Sequence, residues 1–170
     1  IIATDDLRIV DHVNIWGGDV MMTSPLHRSG TDRCHEVFRA QKDIFDVIIN
    51  IQGDEPFIDP SQIEKVIESF IHQETQISSL AKKITTLEEL FNPNSVKVVI
   101  GENDKALYFS RAVIPYLRAV EEKDYLKNGV FFKHIGIYAY RASVLNEICQ
   151  LPPSVLEKAE SLEQLRWLSA

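Results

Sequence analysis

Two carboxylates, Asp54 and Glu55, follow an apolar run in the stretch Asp46-Val47-Ile48-Ile49-Asn50-Ile51-Gln52-Gly53-Asp54-Glu55-Pro56. Val47 to Ile51 is short and β-branched, which suits a strand buried on both faces at the centre of a parallel sheet. Gly53 permits any backbone angle and Pro56 cannot pair inside a sheet, so the strand stops abruptly. The acids are thereby delivered just past the C-terminal end of a central strand, where open α/β sheets bind ligands. Two acids with no neighbouring base suit a hard cation such as Mg²⁺ that bridges to phosphate oxygens. By spacing alone, a strand ending in an acidic turn is an equal reading.

Other residues have types and spacings that suit a polar ligand. In His134-Ile135-Gly136-Ile137-Tyr138 the period of two puts His134, Gly136 and Tyr138 on one face of a strand, with a gap at the glycine. Glu160 and Gln164 are i, i+4 neighbours on the last predicted helix. Arg111, just after a strand, could pair bidentately with a carboxylate. Taken singly, His134 and Tyr138 read more readily as satisfied core residues than as ligands, and Glu160 with Gln164 as a solvated face. Ser29-Gly30-Thr31-Asp32-Arg33 is a glycine-containing loop running into a helix, whose first N–H groups are open to a ligand or merely capped.

The elements that must position these residues follow from periodicity and punctuation. The 170 residues fit one domain, of which 45% are hydrophobic and 25% charged, as in soluble globular chains. A strand opens the chain and ends at Asp5-Asp6, and Leu7 to Trp16 is helical. Asp19 to Thr23 is a second strand, and Ser24 to Gly30 a loop. A helix follows, capped by Thr31 or Asp32 and carrying Cys34, Val37 and Phe38 inward. Asp59-Pro60-Ser61 starts an amphipathic helix through Ile63, Val66, Ile67, Phe70 and Ile71. This β-α-β-α-β-α order predicts a doubly wound, mostly parallel α/β sheet of Rossmann-like form.

The second half predicts a smaller β-rich excursion. Ile77 to Ile84 reads as a strand and Leu87 to Phe91 as a short helix stopped by Asn92-Pro93-Asn94. Val96–Ile100 and Ala106–Ser110 form a hairpin around Gly101 to Asp104. Pro115 to Gly129 is charged and irregular, a candidate contact surface. His134 to Tyr140 is a strand, Ala142 to Gln150 a helix, and Ser154 to Leu168 one final helix. A net charge of -7 argues against a nucleic-acid partner. No apolar run reaches membrane-spanning length, so no membrane partner is expected. Cys34 and Cys149 lie in no metal spacing and read as reduced thiols of a cytoplasmic protein.

Seven segments occur in a telling order: Ala3-Thr4-Asp5-Asp6, Ser29 to Arg33, Asn50 to Pro56, Asn92-Pro93-Asn94, Ala106 to Arg111, His134 to Tyr138, and Leu162-Glu163-Gln164-Leu165-Arg166. Together they resemble the 3-deoxy-manno-octulosonate cytidylyltransferase (CMP-Kdo synthetase) family over essentially the whole chain. The resemblance implies a nucleotidyltransferase that converts CTP and Kdo to CMP-Kdo and pyrophosphate, for lipopolysaccharide biosynthesis. It implies Asp54 holding Mg²⁺, Gln52 beside it as a catalytic residue, and Ser29, Gly30, Thr31 and Arg33 at the cytosine. It implies Arg111, His134, Tyr138, Glu160 and Gln164 at the sugar acid, and a homodimer, whose contacts the charged, irregular stretch Pro115 to Gly129 would make. The family's glycine-rich triphosphate loop and its second metal-binding aspartate would lie before Ile1 and after Ala170, so the chain reads as one cytidylyltransferase-like domain lacking both terminal segments. Three alternatives stand beside this: an acylneuraminate cytidylyltransferase, a metal-dependent glycosyltransferase whose Asp-x-Asp is here Asp54-Glu55-Pro56, and a non-catalytic nucleotide-binding or dimerisation module.

Overall fold

The computed structural model describes residues 1–41, 45–53 and 57–170. In chain order these form β1 (Ile2–Thr4), α1 (Leu7–Ile15), β2 (Val20–Met22), α2 (Gly30–Ala40), β3 (Val47–Ile51), α3 (Pro60–Glu68), β4 (Ile77–Lys83) and α4 (Leu87–Phe91). There follow β5 (Lys97–Ile100), β6 (Ala106–Ser110), α5 (Tyr125–Asn128), β7 (Phe132–Arg141), α6 (Ala142–Ile148), α7 (Val155–Glu160) and α8 (Gln164–Leu168). They make two compact units: Ile1–Ser78 with Tyr138–Gln150, and Ser79–Ile137 with Leu151–Ala170.

In the first unit β1 and β2 pair in parallel, Ile2 opposite Val20 and Thr4 opposite Met22, as the βαβ reading predicts. Helix α1 crosses over between them, capped by Asp6, whose carboxylate accepts the Arg8 N–H at 2.8 Å. Helix α2 packs against both β1 and β3. Its N-cap is Ser29, not Thr31 or Asp32: the extended Ser29 side chain accepts the Asp32 N–H at 3.1 Å. Helix α3 starts as predicted, with a reciprocal capping box between Asp59 and Gln62. The last residues of β7 close this unit beside β3, where the Ala142 N–H donates to the Asp46 carbonyl at 3.0 Å. Tyr140 and Leu145 lie in its interior with no exposed surface.

The second unit is built on antiparallel strands. β5 pairs antiparallel with β6 and with β7, and β4 also pairs with β7. The sheet is therefore mixed α/β rather than mostly parallel in its described pairings. The reason is local: Gly101 to Lys105 is too short for a crossover, and Asn103 (φ 58°) and Asp104 (φ 55°) turn the chain straight back. One core cluster joins Ile84, Leu90, Tyr125 and Phe131, the two rings stacked at 5.8 Å and 3°. Tyr125 thus anchors the charged stretch Pro115 to Gly129 to the interior. A second cluster joins Val98 and Phe109 to Leu162 and Leu165. Burying an aliphatic or aromatic side chain of this size contributes about 1.5–3 kcal/mol.

The predicted final helix is two helices. Ser161 adopts a left-handed conformation, φ 51° and ψ 49°, which ends α7 before α8 begins. Glu160 and Gln164 therefore do not share one helix face.

Candidate functional site

In the first unit, side chains gather at the C-terminal ends of its strands. Asp5 and Thr23 are the first residues beyond β1 and β2, whose paired ends are Thr4 and Met22. The Thr23 N–H and hydroxyl both donate to the Thr4 carbonyl, at 2.8 and 3.1 Å. Arg33, in the second turn of α2, donates from Nη1 to the Thr23 hydroxyl at 2.5 Å and pairs through Nη2 with Asp5 at 3.0 Å. The helix start is thereby tied to two strand ends.

Gly30 opens α2 and faces Gln52, which follows β3. A Cβ at Gly30 would stand 3.2 Å from Gln52 Oε1 and 3.3 Å from Nε2, tighter than ordinary packing. The fold thus brings together Ser29, Gly30 and Gln52, residues that the sequence places in separate motifs. Thr31 is turned inward, 1% exposed, with its hydroxyl 3.1 Å from the Tyr140 hydroxyl. Its side chain anchors the loop from within, and the backbone is the part of Thr31 left to meet a base, as the loop reading expects. Arg33 keeps its cationic head partly exposed while held by Asp5 and Thr23.

Beside this loop Glu36 takes His27 Nε2 and the Ser24 N–H, the latter at 3.0 Å. The His27 hydrogen bond is the main cause holding the Glu36 carboxyl below its ordinary range. Burial pushes the Cys34 thiol up to about 11, so it stays protonated and is no nucleophile at neutral pH.

The second unit holds most of the expected sugar-site residues, each with partners of its own. Ser110 donates to Glu160 Oε1 at 2.5 Å and the Arg111 N–H donates to Oε2 at 2.9 Å. The Arg111 guanidinium meets three backbone carbonyls: Glu160 at 2.7 Å, Pro93 at 3.1 Å and Ser161 at 3.3 Å. Arg111 and Glu160 are thus brought together, and Arg111 also holds the Asn92-Pro93-Asn94 turn through the Pro93 carbonyl. Lys97 reinforces that turn, its buried Nζ donating to the Asn92 carbonyl at 2.9 Å, and desolvation lowers its pKa.

His134 packs edge-on against Phe109, centroids 5.1 Å apart, with Nε2 2.8 Å from the Ser79 hydroxyl. That hydroxyl also lies 2.8 Å from the Ile137 carbonyl and 3.2 Å from the Ile135 carbonyl, which only accept. The Ser79 hydroxyl thus ties the imidazole to the backbone of its own strand. Burial pushes the imidazole pKa down to about 4, so it is neutral at physiological pH. Gln164 is 4% exposed, packed in α8. Tyr138 lies in the first unit, buried and stacked on Tyr140 at 6.0 Å.

Sequence reasoning missed Ser79, Ser110, Thr23 and Asp5, which hold His134, Glu160 and Arg33. Asp5 and Ser110 stood in segments already singled out, whereas Thr23 and Ser79 did not. Asp54 and Glu55 lie outside the described residues. Among the described residues no group of three or more His, Cys, Asp or Glu side chains could hold a metal ion, and no helix is long and apolar enough to cross a membrane.

Polar groups at the C-terminal ends of parallel strands occupy the place where open α/β sheets bind ligands. The cytidylyltransferase family model matches residues 1–170. The chain belongs to the cytidylyltransferase family, a family of nucleotidyltransferases. It is 54% identical to the 3-deoxy-manno-octulosonate cytidylyltransferase of Parabacteroides distasonis over 98% of this chain and 68% of that protein. Proteins of the same name from Cytophaga hutchinsonii and Vibrio vulnificus are 53% and 49% identical over 100% and 99% of this chain, each again covered over 68%. A solved CMP:2-keto-3-deoxy-manno-octonic acid synthetase complexed with CTP aligns at TM-score 0.87 and 42% identity, over 98% of this chain and 66% of that one. The chain therefore spans about two thirds of the length of these relatives. A glucose-1-phosphate thymidylyltransferase from Bacillus anthracis shares the fold, at TM-score 0.53 and 19% identity. The family expected from the ordered motifs is the one found, and these octulosonate relatives do not favour the acylneuraminate alternative.

Proposed function

We propose that the intact protein transfers CMP from CTP to the anomeric hydroxyl of Kdo. The Kdo oxygen forms a bond to the α-phosphorus, the bond from that phosphorus to the β-phosphate oxygen breaks, and pyrophosphate leaves. The observation that carries this reading is the 54% identity, over 98% of the chain, to an enzyme named for that reaction. Such a transfer depends on positioning and charge neutralisation rather than a covalent nucleophile, in keeping with the inert Cys34 thiol.

In this reading the Ser29–Gly30 turn and Arg33 meet the nucleotide, and Gln52, braced on Gly30, borders it. Arg111, His134, Glu160 and Gln164, all of the second unit, serve the sugar acid. Glu160 acts there by holding Ser110 and Arg111, and His134 as a neutral imidazole. Mg²⁺ held by Asp54 would neutralise charge on the triphosphate. The protein works in the cytoplasm, in lipopolysaccharide synthesis, as a homodimer that meets through residues 115–129, where Tyr116 is 77% exposed.

The test is pyrophosphate release from the intact protein with CTP and Kdo, CTP and an acylneuraminate, and UTP and Kdo. Release should be fast only for the first pair, because cytosine and uracil reverse hydrogen-bond polarity at N3 and the exocyclic group. No release with CTP and Kdo, or faster release with the acylneuraminate, overturns the proposal.

A further inference from the structure

We infer that Asp5 and Thr23 are positioning residues for nucleotide selection, acting through Arg33 and the first turns of α2. The inference rests on the functional reading above, in which that turn meets CTP. Asp5 and Thr23 are the residues that follow two paired parallel strands, so their separation is set by the β1–β2 ladder rather than by a loop. Thr23 is 4% exposed and its hydroxyl has a defined polarity. It donates to the Thr4 carbonyl at 3.1 Å and accepts from Arg33 Nη1 at 2.5 Å. Nη2 of the same guanidinium reaches Asp5 at 3.0 Å. A planar fork held at both terminal nitrogens is fixed in orientation as well as place. Among the described residues, this leaves Nε–H and one N–H on each terminal nitrogen of Arg33 without a protein acceptor.

The same two anchors register α2. Arg33 lies one turn after Gly30, and its backbone N–H donates to the Ser29 carbonyl at 3.3 Å. Loss of either anchor therefore loosens the start of α2, on which the Ser29–Gly30 turn and its Gln52 contact stand. Selection between two bases of one shape needs donors and acceptors held to a fraction of an ångström. A network that merely stapled the helix to the sheet would affect stability and leave base selection alone.

The experiment uses the intact protein and compares Asp5→Asn, Thr23→Val and Thr23→Ser. Asp5→Asn and Thr23→Val should each raise KM for CTP about tenfold and lower the CTP-over-UTP ratio of kcat/KM about tenfold, with KM for Kdo within about twofold of the original. Thr23→Ser, which retains the hydroxyl, should restore both values. If Asp5→Asn folds poorly, the Thr23 pair decides alone. Variants that lose thermal stability but keep the original CTP-over-UTP ratio overturn the inference. If the unsubstituted protein turns over no CTP, the functional reading falls and this one falls with it. Normal turnover with unaltered selectivity in the variants sinks this inference only.

Discussion

The carboxamide of Gln52 lies against Gly30 so closely that an added methyl group would stand 3.2 Å from Oε1 and 3.3 Å from Nε2. Gly30 is the first residue of α2, where alanine is a better helix former than glycine by up to about 1 kcal/mol. Gly30→Ala should therefore leave the melting temperature unchanged or slightly raised while pushing the Gln52 amide aside. KM for CTP should rise several-fold. Wild-type CTP kinetics in this variant would show the contact to be packing alone.

His134 supplies a pH dependence whose sign is set by burial. Its pKa falls from 6.5 to about 4 on folding, so between those values the unfolded chain binds a proton that the folded chain does not. Stability is full above pH 6.5, declines as pH falls toward 4, and levels below. The decline is about 3 kcal/mol. His134→Asn, which cannot titrate, should flatten the slope of urea-derived stability between pH 6.5 and 4.5. An unchanged slope would contradict the buried neutral imidazole.

Glu160 holds two donors, one of them the 2% exposed Ser110. Glu160→Ala strips both acceptors and should destabilise the protein by about 2–4 kcal/mol, since each buried donor left unpaired costs about 1–3. Glu160→Gln retains one acceptor oxygen and should cost roughly half as much. Chemical denaturation separates these outcomes, and equal stability of all three proteins would refute the brace.

Asp54 carries the Mg²⁺ proposal. Asp54→Asn keeps the size and removes the charge, so turnover at limiting Mg²⁺ should fall at least about a hundredfold with the melting temperature within a few degrees. Glu55→Gln should matter less, because the proposal rests the metal on Asp54. Turnover of Asp54→Asn within a few-fold of the original removes Asp54 as a metal ligand.

Much of the architecture was readable from local signals. The crossover from β1 to β2, the start of α3 at Asp59, and the hairpin of β5 and β6 each follow from periodicity, caps and turn residues within a few positions. Family membership came from the order of short motifs, which needs no coordinates. Other features depend on chain segments that periodicity cannot relate. Ser161 breaks the last helix in a left-handed conformation that serine rarely signals, whereas glycine would have marked it. Ser29 rather than Thr31 caps α2 because packing turns Thr31 inward to Tyr140, 109 positions away. Arg33 finds Asp5 and Thr23, and His134 finds Ser79, only when strands align in register. The sequence by itself determines which residues are available and which short elements they form. The tertiary structure alone decides which donor meets which acceptor, because that depends on strand register and side-chain packing between distant segments.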